Sequence, residues 1–149
     1  LEKYRMYYKG KGKVLWKFEN EQIFSVTKKE DVSGILTGFS QYHKFKIPIF
    51  IVKYCCYLPN RKITKEETFI HSILEISDSR EVMLALVFYL KNNLNKEYLY
   101  NLSIKYDCLK KLEDLYKILT QEKTEIFSLI KEKELKEFFK QYEVEWKIK

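Results

Sequence analysis

With 149 residues, 46% of them hydrophobic and only 4 Gly and 2 Pro, the chain is long enough for one ordinary core and too apolar to be disordered. Three cysteines, two of them adjacent, exclude a disulfide framework, and no run of eighteen apolar residues offers a spanning helix. The net charge of +7 is lopsided: residues 1–62 hold 13 Lys/Arg against 5 Asp/Glu, a balance of +8, and residues 63–149 hold 15 against 16, a balance of −1.

In chain order, Tyr4–Tyr8 and Val14–Phe18 are β-prone, and Lys9-Gly10-Lys11-Gly12-Lys13 between them allows a tight reversal. This predicts a hairpin with a lysine-studded tip, followed by a short strand over Gln22–Val26. Thr27-Lys28-Lys29-Glu30 has capping-box spacing. The helix it opens would carry Val32, Ile35, Leu36, Phe39 and Tyr42 on one face, with Gly34 and Gly38 allowing close approach of a neighbour. Ile47–Leu58 reads as a buried strand once past Pro48, closed by a turn at Pro59-Asn60.

From there the pattern is helical. Thr64-Lys65-Glu66-Glu67 is a second capping box, ahead of Phe69, Ile70, Ile73 and Leu74. Asp78 with Glu81 caps the next helix, whose Val82–Phe88 run is apolar all round and belongs at the centre of a bundle. Asn95 caps a third helix ending near Tyr106-Asp107, and a fourth runs from Cys108 to Leu119 with Leu109, Leu112, Leu115, Tyr116 and Leu119 as its stripe. Helices over Thr124–Lys131 and Lys133–Tyr142 and a strand over Glu143–Ile148 complete the prediction. The fold class is α+β: an N-terminal β-hairpin or small sheet with one helix, then a mainly helical C-terminal bundle and a terminal strand. The division is a basic, aromatic-rich part over 1–62 and a helical body over 63–149.

The basic half supplies the candidate site. Lys9, Lys11 and Lys13 alternate with glycines, so their ammonium groups are unhindered, and Tyr7, Tyr8 and Trp16 flank them with ring faces that suit stacked bases. Lys17, Lys28 and Lys29 belong to the same nucleic-acid-binding set. Lys44, Lys46, Lys53, Arg61 and Lys62 extend it if the fold brings them to one face. Against this stands the ordinary reading of a charge run as a solvated surface.

Catalytic and metal signatures are thin. Cys55, Cys56, His43 and His71 share no ligand spacing for zinc, and a buried strand cysteine with a helix-surface histidine explains them better. Cys108 at a helix start has a position that lowers thiol pKa, but no base nearby. Glu145-Trp146-Lys147 has the E-x-K spacing of magnesium nucleases, although simple alternation, with Val144, Trp146 and Ile148 inward, accounts for it. The reading is therefore non-enzymatic, with no cofactor and no metal.

The C-terminal half resembles the AbiEi-type antitoxins, partners of nucleotidyltransferase-like toxins. Thr64–Ile70 is similar to that family's helix-opening "PEKTIL" segment. Asn95–Leu102 and Lys105–Leu119 are similar to its helix, Lys-Tyr-Asn/Gly turn and Leu-rich "LKRLGYLLE" helix, and Tyr142–Ile148 to its terminal strand. Lys65 stands at the family's proline and Glu113 at its glycine. The resemblance implies that the basic half touches operator DNA, with Tyr7–Phe18 as the wing of a winged helix, and that the helical half meets a toxin.

The expectation is a nucleic-acid- and protein-binding regulator, DNA ranking ahead of RNA, cytoplasmic, without membrane contact and able to form a homodimer. Two alternatives stay open: a Mg-dependent nuclease using Glu145 and Lys147, and a structural subunit of a nucleoprotein complex.

Overall fold

The computed structural model describes residues 12–121 and 130–146. The fold is α+β, and the chain divides into two compact units, Leu1–Glu75 and Ile76–Lys149. The expected boundary at Lys62 falls earlier, ahead of a helix that packs with the sheet in the first unit.

In the first unit, β1 (Gly12–Phe18), β2 (Glu21–Val26), β3 (Ile35–Leu36) and β4 (Tyr54–Leu58) form one antiparallel sheet in the order β1-β2-β4-β3. The hairpin is β1–β2, turning at Glu19-Asn20 with Glu19 at φ 53. This corrects the predicted hairpin. Gly12 and Lys13 stand inside β1, opposite Val26 and Ser25, and not at a tip. Tyr4–Lys11 lie outside the described residues.

The predicted helix over Val32–Tyr42 does not form. A single 3₁₀ turn at Lys29–Asp31 leads to β3, and a 3₁₀ segment runs from Gly38 to Phe45. The glycines are the reason: Gly34 has φ +77 and Gly38 φ +58, left-handed conformations that interrupt a right-handed helix. A Cβ on Gly34 would meet the Tyr57 carbonyl oxygen at 2.2 Å. Helical spacing still chose apolar residues correctly, because Phe39 and Tyr42 are buried and Val32 and Leu36 pack on the Phe24, Val26, Cys56 and Leu58 cluster.

The strand expected from Ile47 is shorter at its start. Only Tyr54–Leu58 pair, and the preceding loop leaves Phe50 and Val52 exposed.

The helix α1 (Lys65–Glu75) closes the unit. Its capping box forms as the sequence predicts: the Glu67 N–H donates to Thr64 Oγ1 at 3.1 Å, and the Thr64 N–H donates to Glu67 Oε1 at 3.1 Å. Ring contact between Tyr57 and His71, stacked at 5.5 Å, seats α1 on one face of the sheet.

The second unit is helical: α2 (Ser79–Lys91), α3 (Lys96–Lys105), α4 (Leu109–Leu119) and α5 (Glu132–Gln141). Local caps form where read. The Glu81 N–H donates to Asp78 Oδ1 at 2.8 Å and the Tyr98 N–H to Asn95 Oδ1 at 2.9 Å. Val82–Phe88 is buried throughout, and α2 contacts both α4 and α5. Leu112, Leu115 and Leu119 are the buried stripe of α4. Of the helix expected at Thr124–Lys131, residues 122–129 lie outside the described residues, and 130–131 are not helical.

The predicted terminal strand is absent over 143–146. Glu143 takes a left-handed turn at φ 58 after α5. Trp146 is then held by its indole N–H, which donates to the Leu119 carbonyl at 2.8 Å, and by an edge contact with Phe139. Alternation marked the right inward residue, but no neighbouring strand is present to pair it.

Candidate functional site

Two groups of functional side chains occur in the first unit, one sealed and one exposed. The sealed group lies between the sheet and α1. His71, Ser72, Cys55 and Tyr42 are fully buried. Thr37 Oγ1 and His71 Nδ1 are 2.6 Å apart, Tyr42 Oη and Ser72 Oγ 2.8 Å, and Ser40 Oγ accepts the Cys55 N–H at 2.9 Å. Glu75 accepts the Phe39 N–H at 2.8 Å and hydrogen-bonds the Cys55 thiol. His71 is thus a core residue and not the surface histidine expected from sequence.

These are the residue types of a nucleophile and base, but the chemistry is switched off by burial. Desolvation first, then the charges of Glu75 and Cys56, push the Cys55 thiol well above its ordinary value. Cys108, expected to gain acidity at its helix start, is instead pushed up to about 12, mainly by burial. All three cysteines are free and buried. Among the described residues no three metal-ligating side chains converge. Glu145 is exposed on irregular chain, and Lys147 lies outside the described residues.

Next to the sealed group, Arg61 is committed to structure. Its guanidinium donates to Glu67 Oε1 at 3.0 Å, to the Lys62 carbonyl at 3.1 Å and to the Tyr57 hydroxyl at 3.0 Å, and Glu21 stands 3.8 Å away. Tyr57 in turn donates to Glu21. Burial raises the Glu67 carboxyl, but the Arg61 and Thr64 hydrogen bonds and the Arg61 charge outweigh it and hold the group below its ordinary range. Arg61 therefore leaves the candidate cationic set.

The exposed group is the lysines. Lys13, Lys17, Lys28, Lys29, Lys44, Lys53 and Lys62 are exposed, and none of them takes an ion pair. The register sorts them. Gly12, Val26 and Tyr54 pair across one end of the sheet, so Lys13, Lys28 and Lys53 gather there, with Lys29 next along the chain. Lys17 pairs opposite Gln22, toward the other end, where Leu58 leads to Lys62. Lys44 and Lys62 border a cleft of about 350 Å³ with Ile35, Gln41, Phe45 and Ile63, and no carboxylate lines it.

A bulge decides the faces of β1. Val14 pairs with Phe24 and Trp16 with Ile23, leaving Leu15 without a partner. Directly opposed residues share a face, so Lys13, Trp16 and Phe18 lie on the face of Ile23 and Tyr57, and Lys17 lies on the other. Of the predicted set, Lys13, Lys28 and Lys29 come together, Trp16 shares the face of Lys13, and Lys17 is apart. Tyr7, Tyr8, Lys9 and Lys11 lie outside the described residues.

Sequence reasoning missed Phe18, 60% exposed with its ring 6.5 Å from that of Trp16. The signal was present as a second aromatic two positions along the strand. Among the described residues no helix is long and apolar enough to cross a membrane. No family model, curated protein or solved structure matches the chain.

Proposed function

We propose that this protein is a nucleic-acid-binding protein that works by charge and surface, not by catalysis. The observation that carries the reading is the group of exposed lysines without ion pairs at one end of the sheet: Lys13, Lys28, Lys29 and Lys53. Lysines that serve only folding or solubility are commonly interspersed with acids. Uncommitted cations gathered at one end instead favour a polyanion, whose condensed counterions they displace. The nucleophilic residue types are sealed inside, which favours binding over chemistry.

The helical unit is proposed to meet a protein partner, as the AbiEi-type resemblance implies. The support is local: Tyr100 and Ile104, one turn apart on α3, are 50% and 54% exposed.

Fluorescence anisotropy of labelled nucleic acid, titrated with the full chain at low salt, tests the binding. Changing Lys13, Lys28, Lys29 and Lys53 together to Glu is expected to weaken affinity by about tenfold or more. Unchanged affinity removes the reading. Cleavage of the label with Mg²⁺, lost in Glu145→Ala, replaces it with the nuclease alternative.

A further inference from the structure

The bulge at Leu15 has a chemical consequence on the edge strand. In an unbroken strand, Lys13 would share a face with Leu15 and Lys17, and Trp16 would lie on the other. The extra residue instead places Lys13, Trp16 and Phe18 in line on one face, so a cation is followed by two rings. Because β1 is the outermost strand of the sheet, this line lies along an edge.

The ring geometry selects a form of nucleic acid. The Trp16 and Phe18 centroids are 6.5 Å apart and the planes are tilted by 37°. Bases in one strand of a duplex follow each other at about 3.4 Å, stacked on one another with no ring face free. Two protein rings at nearly twice that spacing can each take a base only from a strand that is extended and unpaired. Phe18 is 60% exposed and Lys13 is exposed without an ion pair. The nearest carboxylate on that face, Glu21 opposite Phe18, is engaged by the Tyr57 hydroxyl and stands beside the Arg61 guanidinium, so its repulsion of phosphate is muted.

We propose that Lys13, Trp16 and Phe18 form a binding stripe for single-stranded nucleic acid, with consecutive bases on the two rings and a backbone phosphate at Lys13. This rests on the nucleic-acid reading above and names its substrate class.

The test compares a labelled 15-nucleotide strand of mixed sequence with the same strand annealed to its complement. The single strand binds the full chain about tenfold or more tighter than the duplex. Phe18→Ala weakens the single strand by about fivefold or more, Phe18→Tyr retains it, and neither alters duplex affinity. In a Trp146→Phe background Trp16 is the sole tryptophan of the two, and the single strand quenches its emission while the duplex does not. Exposure of Phe18 keeps its variants folded, which thermal melts verify. Duplex affinity equal to single-strand affinity, or Phe18→Ala binding like the parent, overturns the stripe. If Lys13→Gln still weakens both probes in that case, the broader nucleic-acid reading stands alone; if the lysine change also has no effect, both fall.

Discussion

Arg61 and Glu67 show how one residue's surroundings decide whether its charge is available. Arg61 looks like a member of the basic set in the sequence, yet Glu67, Tyr57 and the Lys62 carbonyl occupy it. The pair carries a pH signature. Glu67 sits below its ordinary value of 4.5, so its stabilising effect is complete above that value and is lost as pH falls through the lowered one. Urea unfolding from pH 6 down to pH 2 should therefore show a fall in stability that Glu67→Gln flattens. The variant should already be the less stable protein at pH 6, because it leaves Arg61 part-buried without its carboxylate. A parent and variant with parallel pH profiles would remove Glu67 from the acid response. The thiols behave in the opposite sense: raised values keep them protonated and inert at neutral pH, and the stability they contribute is lost as pH rises through their ordinary 9.0.

At the scale of elements, the sheet separates aromatics that hold the fold from those that do not. Phe24 on β2 is fully buried among Val26, Cys56 and Leu58, and Phe24→Ala should cost about 3–5 kcal/mol in denaturant unfolding. Phe18 on β1 is mostly exposed, and Phe18→Ala should stay within about 0.5 kcal/mol of the parent. Similar costs for the two would contradict the assignment of faces. Which residues lie inside was largely legible in the sequence, and which backbone carries them was less so. The caps at Thr64, Asp78 and Asn95 could be read because each is settled within four residues of chain. The pairing of β1 could not, because the Gly-rich segment before it offers a more conventional reversal than Glu19-Asn20. Between Val32 and Tyr42 the apolar spacing fits a helix, and only the left-handed φ of Gly34 and Gly38, invisible to periodicity, breaks it. The bulge at Leu15 depends on the partner strand, so the shared face of Lys13, Trp16 and Phe18 was hidden while their identities were in plain view.

For the whole molecule, charge asymmetry and architecture coincide. The excess of cations falls in the sheet-containing unit, and the helical unit is close to neutral. Helices and caps in the second unit are explained by burial and hydrogen bonding alone, whereas the lysines of the first have no partner inside the protein. A polyanion bound through them exchanges condensed cations for ammonium groups, which makes affinity steeply dependent on salt. The most direct measurement is the slope of log affinity against log salt concentration for the parent and for a variant with Lys13, Lys28, Lys29 and Lys53 changed to Gln. The account predicts a steep parent slope that shallows by about 0.7 for each single-strand phosphate contact removed. A parent slope near zero, or one the four substitutions leave unchanged, would contradict it.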